Sequence, residues 1–401
     1  MQSTPKSNRL QIGIFGRRNV GKSSLMNALT SQYVSIVSDV AGTTTDPVEK
    51  PMELPPLGPV LFIDTAGVDD EGSLGGQRIA RTRKILERVD LGIIVAEGKN
   101  WNKYEDDLLK ELQNRQIPTV VAFNKSDLSQ PSENLQAYLK QQNIPFINTI
   151  ATDGFGVLDL HKILIDTTPA DYFNSIGIIG DLVKPGEMAV LVVPIDQEAP
   201  KGRLILPQVQ TIRDLLDNNA GCIVIKENEL TSVLNNLKQP PAIVVTDSQA
   251  FLKVAAETPA DVPLTSFSIL FARYKGDLAE YIAGTRTIDK LKPGDEILIA
   301  EACTHHPITD DIGRVKIPRW LNQYVGGKLN FTYYQGHDFP EDLSQYKLVI
   351  QCGSCMLNRR EVLSRIWYCK QARVPVTNYG LTIAYTLGIF ERATALFNIE
   401  T

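Results

Sequence analysis

The chain has 401 residues, of which 43% are hydrophobic and 22% charged, an ordinary globular composition on a length that calls for two to four domains rather than one core. Its net charge of −5 and pI of about 5.6 offer no basic field for nucleic acid or an anionic membrane, so no nucleic-acid partner is expected, although local basic patches are compatible with these values. No apolar run approaches the roughly 18 residues of a membrane span, and the opening MQSTPKSNRL lacks the apolar stretch of a signal peptide. The chain therefore reads as cytoplasmic, with no membrane association and with its five cysteines reduced or metal-bound.

The first element is an apolar run, Ile12, Ile14 and Phe15, that enters Gly16-x-x-x-x-Gly21-Lys22-Ser23 and leaves through a segment with Leu25, Met26 and Leu29 on one helical face. Strand, loop and helix in that order make a phosphate cradle. Gly16 and Gly21 permit the close backbone approach, N–H groups point inward at the positive end of the helix, Lys22 reaches the β/γ-phosphates and Ser23 binds Mg²⁺. Next, Ser38 to Asp46 forms a polar stretch in which a threonine can complete the Mg²⁺ shell and sense the γ-phosphate. The run Val60 to Ile63 ends in Asp64-Thr65-Ala66-Gly67, where Asp64 can hold Mg²⁺ through water and the Gly67 N–H can meet the γ-phosphate. After the run Leu91 to Ala96 and a helical segment with Leu108, Leu109 and Leu112, Thr119 to Phe123 leads into Asn124-Lys125-Ser126-Asp127. The Asp127 carboxylate can accept both N–H donors of guanine, which adenine lacks, so the base is guanine.

Strands alternating with helices imply a parallel sheet with these loops at its carboxyl ends. The four motifs, in this order and spacing, resemble the translation-factor-like GTPases of the Era and TrmE group over roughly residues 8 to 168. The resemblance implies binding of GTP and GDP by Gly16, Asn19, Val20, Gly21, Lys22, Ser23, Ser24, Asn124, Lys125, Asp127 and the Ala151 backbone. Catalysis would rest on Lys22, Ser23, Thr44, Asp64 and Gly67, with Mg²⁺ on Ser23 and Thr44, and with Asn19 as the asparagine that accompanies potassium-stimulated hydrolysis. Two positions depart from the pattern. Ile150 stands where a serine usually precedes the fifth motif, and Val68 where many GTPases carry a water-positioning glutamine, so hydrolysis is expected to be slow unaided.

Asp166 to Asp171 reads as a domain end. Beyond it Glu187 to Pro194, Gly221 to Ile225 and Ala242 to Val245 are short β-branched runs separated by helical patterns at Pro207 to Leu216 and Glu229 to Leu237, another parallel α/β unit. It carries no catalytic constellation: Lys201-Gly202-Arg203 reads as an exposed turn, Asp247 as a helix cap and Cys222 as a small buried hydrophobe. A scaffold or dimerisation domain is expected.

In the last part, Ile297 to Ala300 runs into Glu301-Ala302-Cys303-Thr304-His305-His306, and Tyr346 to Ile350 into Gln351-Cys352-Gly353-Ser354-Cys355. In a parallel sheet both cysteine segments leave at one edge. Three thiolates suit an iron–sulfur cluster, zinc or Cu(I), and a Cys-x-x-Cys after a strand also fits a redox dithiol. Candidate fourth ligands are His305, His306, Glu301, Asp310 and Asp311, with His337 more remote, while Cys369 on an amphipathic stretch reads as core.

A GTPase front, an α/β middle and a Cys-x-His plus Cys-x-x-Cys end, with the tract Asp311 to Arg319, resemble the HydF family of GTPases that mature FeFe-hydrogenase. That resemblance implies a 4Fe-4S cluster on Cys303, Cys352 and Cys355, with His305 or Glu301 as fourth ligand. It further implies a transient two-iron precursor as cargo, apo FeFe-hydrogenase as recipient, two radical-SAM maturases as partners, and a homodimer. Gln351 replaces the histidine that many members carry before the Cys-x-x-Cys, and an amide is a poor iron ligand. The expected fold is α/β, a P-loop GTPase domain (1–170) followed by two further α/β domains, a scaffold or dimerisation domain (171–265) and a cluster-binding domain (266–401). The competing reading is an Era- or TrmE-like GTPase acting on RNA, ending in a zinc or redox cysteine module.

Overall fold

A computed structural model of the chain describes residues 4–31, 48–65, 84–169, 172, 176–194, 204–303 and 311–399. It divides into two compact units, Met1–Ser175 and Ile176–Thr401.

The first unit is built on strands β1 (Leu10–Phe15), β2 (Val48–Leu54), β3 (Gly58–Asp64), β4 (Leu91–Ala96), β5 (Thr119–Phe123) and β6 (Phe146–Asn148). They lie in the order β2-β3-β1-β4-β5-β6. β2 runs antiparallel to β3 and the remaining pairs are parallel. The near-continuous apolar runs of β1 and β4 follow from burial on both faces. Ile12, Ile14, Ile93 and Val95 pack on one face with Leu25 and Leu29 of the helix Lys22–Ser31. Phe15, Ile94 and Phe123 pack on the other with Leu108, Leu109 and Leu112 of the helix Lys103–Asn114. That second helix starts at a capping box, Asn102 and Glu105, which satisfies two otherwise unpaired N–H groups.

The second unit holds two four-stranded parallel sheets. One comprises β7 (Met188–Val192), β8 (Gly221–Ile225), β9 (Ile243–Thr246) and β10 (Leu264–Ser266), in the order β10-β9-β7-β8. The other comprises β11 (Glu296–Glu301), β12 (Asn330–Gln335), β13 (Leu348–Gln351) and β14 (Val376–Asn378), in the order β12-β11-β13-β14. Read from their own first strands, both have the sequence second, first, third, fourth, so the unit repeats one topology. Val190 and Val244 of the first sheet share a buried cluster with Leu298, Val349 and Val376 of the second. The expected class, a P-loop domain with a largely parallel sheet followed by further α/β structure, is the class observed. β2, β6, β10, β12 and β14 are additions that periodicity did not reveal, being short or half exposed.

Because one core serves both sheets, damage to one should unsettle the other. Leu298→Ala, at a site 0% exposed, is expected to lower the unfolding free energy by about 2–5 kcal/mol. Urea unfolding followed by circular dichroism should show both sheets lost together; a loss below about 1 kcal/mol, or two separate transitions within this unit, would contradict the shared core.

Candidate functional site

In each sheet the chain leaves the first strand to one side and returns to the other, so a crevice opens at the carboxyl ends where the order reverses. In the first unit that point is the end of β1, and the phosphate loop occupies it. Gly16 and Gly21 are the glycines the loop cannot replace: their φ angles are +141° and +94°, and a Cβ would stand 2.2 Å from the Val95 carbonyl oxygen and 2.2 Å from Asn124 Nδ2, respectively. Lys22 is 5% exposed, and its ammonium donates to the carbonyls of Gly16 and Arg17. Ser23 Oγ donates to Asp64 Oδ2 at 2.6 Å, which joins the loop's hydroxyl to the carboxylate ending β3. Two of the three groups expected to serve Mg²⁺, Ser23 and Asp64, thus meet.

Asn124 knits the base-binding side together. Its Nδ2 donates to the Val20 carbonyl at 2.9 Å and its Oδ1 accepts the Ala151 N–H at 3.0 Å. The N–H that sequence reasoning reserves for the guanine oxygen therefore has an internal acceptor here. Lys125 Nζ donates to the Asn19 carbonyl at 2.6 Å and pairs with Glu97 at 2.6 Å, while Asp127 is exposed. Asn19 and Lys125 both adopt left-handed backbone, φ 64° and 56°. Thr44, Gly67 and Val68 lie outside the described residues, as do Lys201-Gly202-Arg203.

Sequence reasoning passed over Arg17. Its guanidinium bonds Glu105 at 2.7 Å, reaches Asn102 and lies 5.1 Å from the centre of the Tyr104 ring, so it pins the phosphate loop to the N-terminus of the helix Lys103–Asn114.

The second site lies between β11 and β13. Their register pairs Ala300 with Gln351, and the Cys352 N–H donates to the Ala300 carbonyl at 3.0 Å, so Cys303 and Cys352 leave adjacent strands at one level. The thiol of Cys352 accepts the N–H groups of Ala302 at 3.0 Å and Ser354 at 3.4 Å. A turn through Ser354, φ 51°, carries the chain to Cys355. Burial pushes the Cys303 thiol up to about 12, with Cys352, Cys355 and Glu301 adding repulsion. Burial and Cys352 raise Cys355 to about 11 against the opposing pull of Lys275. These mutual effects place the three thiols in one electrostatic neighbourhood. Among the described residues no three His, Cys, Asp or Glu side chains close tightly enough to hold a single metal ion. Cys369 is fully buried in the core, and Cys222 is half-buried beside β7.

The surroundings of the thiols are specific. Glu301, 3% exposed, is held by Arg314 at 3.2 Å, Gln335 at 3.2 Å and Tyr379 at 3.3 Å. Gln351, 0% exposed, accepts the Tyr281 hydroxyl at 3.2 Å through Oε1, while its Nε2 has no hydrogen-bond partner among the described residues. Arg365, 3% exposed, donates to the Gly336 carbonyl at 2.6 Å and to Glu361 at 3.3 Å, and its Nη1 is likewise without a partner among the described residues. His337 pairs with Glu361 at 3.0 Å. Asp311 caps the π-helical turn Ile312–Lys316 through the Arg314 N–H. His305, His306 and Asp310 lie outside the described residues.

Three family descriptions match the chain in succession. They are a 50S ribosome-binding GTPase over residues 11–125, a hydrogen maturase F dimerization domain over residues 178–276, and a hydrogen maturase F tetramerization domain over residues 279–396. The tRNA modification GTPase MnmE of Prochlorococcus marinus strain NATL2A is 39% identical over 161 residues, 39% of this chain and 34% of that protein. The GTPase Der of Wolinella succinogenes is 46% identical over 123 residues, 30% of this chain and 26% of that protein. The chain spans about a third or less of the length of these relatives. The loop and the matched domain define the first unit as a GTPase domain, a class of domain that binds GTP and GDP with Mg²⁺ and hydrolyses GTP. With both maturase F domains behind it, the chain belongs to the HydF family of hydrogenase-maturation GTPases, and it carries that family's oligomerisation domains. No helix among the described residues is long and apolar enough to cross a membrane.

Because Asn124 ties the phosphate loop to the Ala151 segment, its removal should loosen both at once. Asn124→Ala is expected to weaken GDP binding about 100-fold in a fluorescent-nucleotide titration. A change under about threefold would mean that the two bonds contribute nothing to the assembled site.

Proposed function

We propose that this chain is a GTP-hydrolysing scaffold that holds a 4Fe-4S cluster on Cys303, Cys352 and Cys355 and assembles and delivers the two-iron precursor of the FeFe-hydrogenase active site. The observation that carries the reading is a GTPase unit on the same chain as a crevice in which three cysteines leave the carboxyl ends of paired parallel strands. The donor set fits the group. Three thiolates around a cubane leave a net negative charge, and the buried Lys275 and Arg365 answer it with cations. The unpartnered Nε2 of Gln351, in the residue next to Cys352, suits a sulfur or anionic acceptor.

Bound there, the cluster would supply an iron with an exchangeable position for cargo. The protein's part is to orient three thiols, shield them from water and balance their charge. For the fourth bond His305 is favoured over Glu301, whose oxygens already serve Arg314, Gln335 and Tyr379. In the GTPase unit Lys22 would stabilise developing phosphate charge, Ser23 and Thr44 would hold Mg²⁺ with Asp64 acting through water, and Gly67 would meet the γ-phosphate. Asp127 and the Ala151 N–H would select guanine, and K⁺ beside Asn19 would compensate for Val68. In this division of labour the middle sheet is the scaffold through which two copies assemble. Apo-hydrogenase and two radical-SAM maturases are the partners, and a cytoplasmic setting keeps the thiols reduced.

Anaerobic reconstitution with iron and sulfide should give a brown protein with about four irons per chain and an EPR signal on reduction. A colourless zinc protein would reject the reading. Cys352→Ala should lose the iron and hydrogenase activation while keeping GTP hydrolysis, and Lys22→Ala should do the reverse for hydrolysis and iron. If either substitution removed both properties, the sites would not be separate modules.

A further inference from the structure

Lysine is rarely buried without a reason, and Lys275 is 2% exposed. It ends the helix Phe267–Lys275, which follows directly from β10 of the middle sheet. Its ammonium donates to the carbonyls of Ser354 at 3.2 Å, Cys355 at 3.1 Å and Leu357 at 2.6 Å. An ammonium has three N–H donors, and here each meets one carbonyl of the same turn. The Phe271 ring, 5.7 Å away, covers its flank. Burial draws its affinity for a proton down to about 8, against the pull of Cys355, Cys352 and Glu361.

The acceptors explain the location. Ser354 takes left-handed backbone, and the Cys352–Leu357 turn presents the carbonyls of Ser354, Cys355 and Leu357 to the Lys275 ammonium. A methionine would fill the same volume without the three N–H donors that Lys275 supplies to this turn. The residue also comes from elsewhere in the chain, since it lies within the segment matched by the dimerization domain while the turn lies in the tetramerization domain.

We infer that Lys275 is the positioning residue of the cysteine turn: reaching from the middle sheet, it sets the shape and the charge of the Cys352–Cys355 loop that receives the cluster. The inference rests on the cluster reading for its charge half, whereas its shape half concerns the metal-free thiols alone. It also makes the cysteine site depend on the middle sheet, because the residue that shapes the loop is anchored there.

The test compares wild-type protein with Lys275→Met and with Lys275→Arg, which retains the charge. In metal-free protein, amide hydrogen exchange across the Cys352–Leu357 turn should be at least about tenfold faster in Lys275→Met, with the strand Gly221–Ile225 as the internal standard and peptides read by mass spectrometry. In the reconstituted protein the cluster of Lys275→Met should be harder to reduce, with the ratio of reduced to oxidised form about tenfold lower at a fixed potential, about 59 mV for one electron. Lys275→Arg should restore the potential more fully than the exchange rate, since its fork cannot reproduce three point-like bonds. Equal exchange rates and equal potentials in a folded Lys275→Met protein would overturn the inference and leave the cluster reading intact. Failure of wild-type protein to take up iron would sink the cluster reading, and the exchange arm would still decide the shape half. Should Lys275→Met not fold, Lys275→Gln keeps a donor without the charge, and an unchanged potential in it would overturn the charge half.

Discussion

Parallel strand pairing with a reversal of order at the first strand is the constraint on which this protein's chemistry depends. A parallel sheet sends all its strands to one edge, and the reversal parts the loops at one place along that edge. In the first unit the phosphate loop fills that place after β1. In the last sheet β11 and β13 do the same for Cys303 and Cys352, with the Cys352 N–H bonded to the Ala300 carbonyl to hold the level. Convergence of thiols distant in sequence thus follows from one backbone register. A slip by one residue would turn the side chains of the strand to the opposite face.

Around both crevices, buried polar side chains are held by hydrogen bonds. Asn124 serves the Val20 carbonyl and the Ala151 N–H; Glu301 serves Arg314, Gln335 and Tyr379. Gln351 Nε2 and Arg365 Nη1, two of the buried atoms without a partner among the described residues, belong to residues that flank or act electrostatically on Cys352. The thiols themselves are pushed up by burial, which favours the protonated thiol over the free thiolate in this crevice.

The second unit is better understood as one folded body with two sheets than as two beads. Its sheets repeat a topology and bury valines and leucines in a common cluster. β10 pairs with β9, and the helix that follows it runs straight to Lys275, which reaches under the cysteine turn. Family descriptions place a border near residues 276 and 279, within a few residues of that lysine. A boundary of descent is therefore also a place of tight mechanical contact.

The amino-acid sequence by itself determined the α/β class, the position of the long buried strands and the chemical identity of the nucleotide loop. Those features rest on local signals: apolar runs of strand length, a Gly-Lys-Ser loop between strand and helix, and an Asn-Lys-x-Asp at a strand's end. Short strands such as Leu264–Ser266 and Val376–Asn378 carry too few residues for a period to register, and only their pairing partners define them. Tertiary structure alone decided that Arg17 meets Glu105, that Glu301 is engaged by three side chains, and that Lys275 lies beneath the Cys352–Cys355 turn. Each of these depends on a partner between about ten and ninety residues away, and spacing along a chain carries no record of which distant groups burial will bring within hydrogen-bond reach.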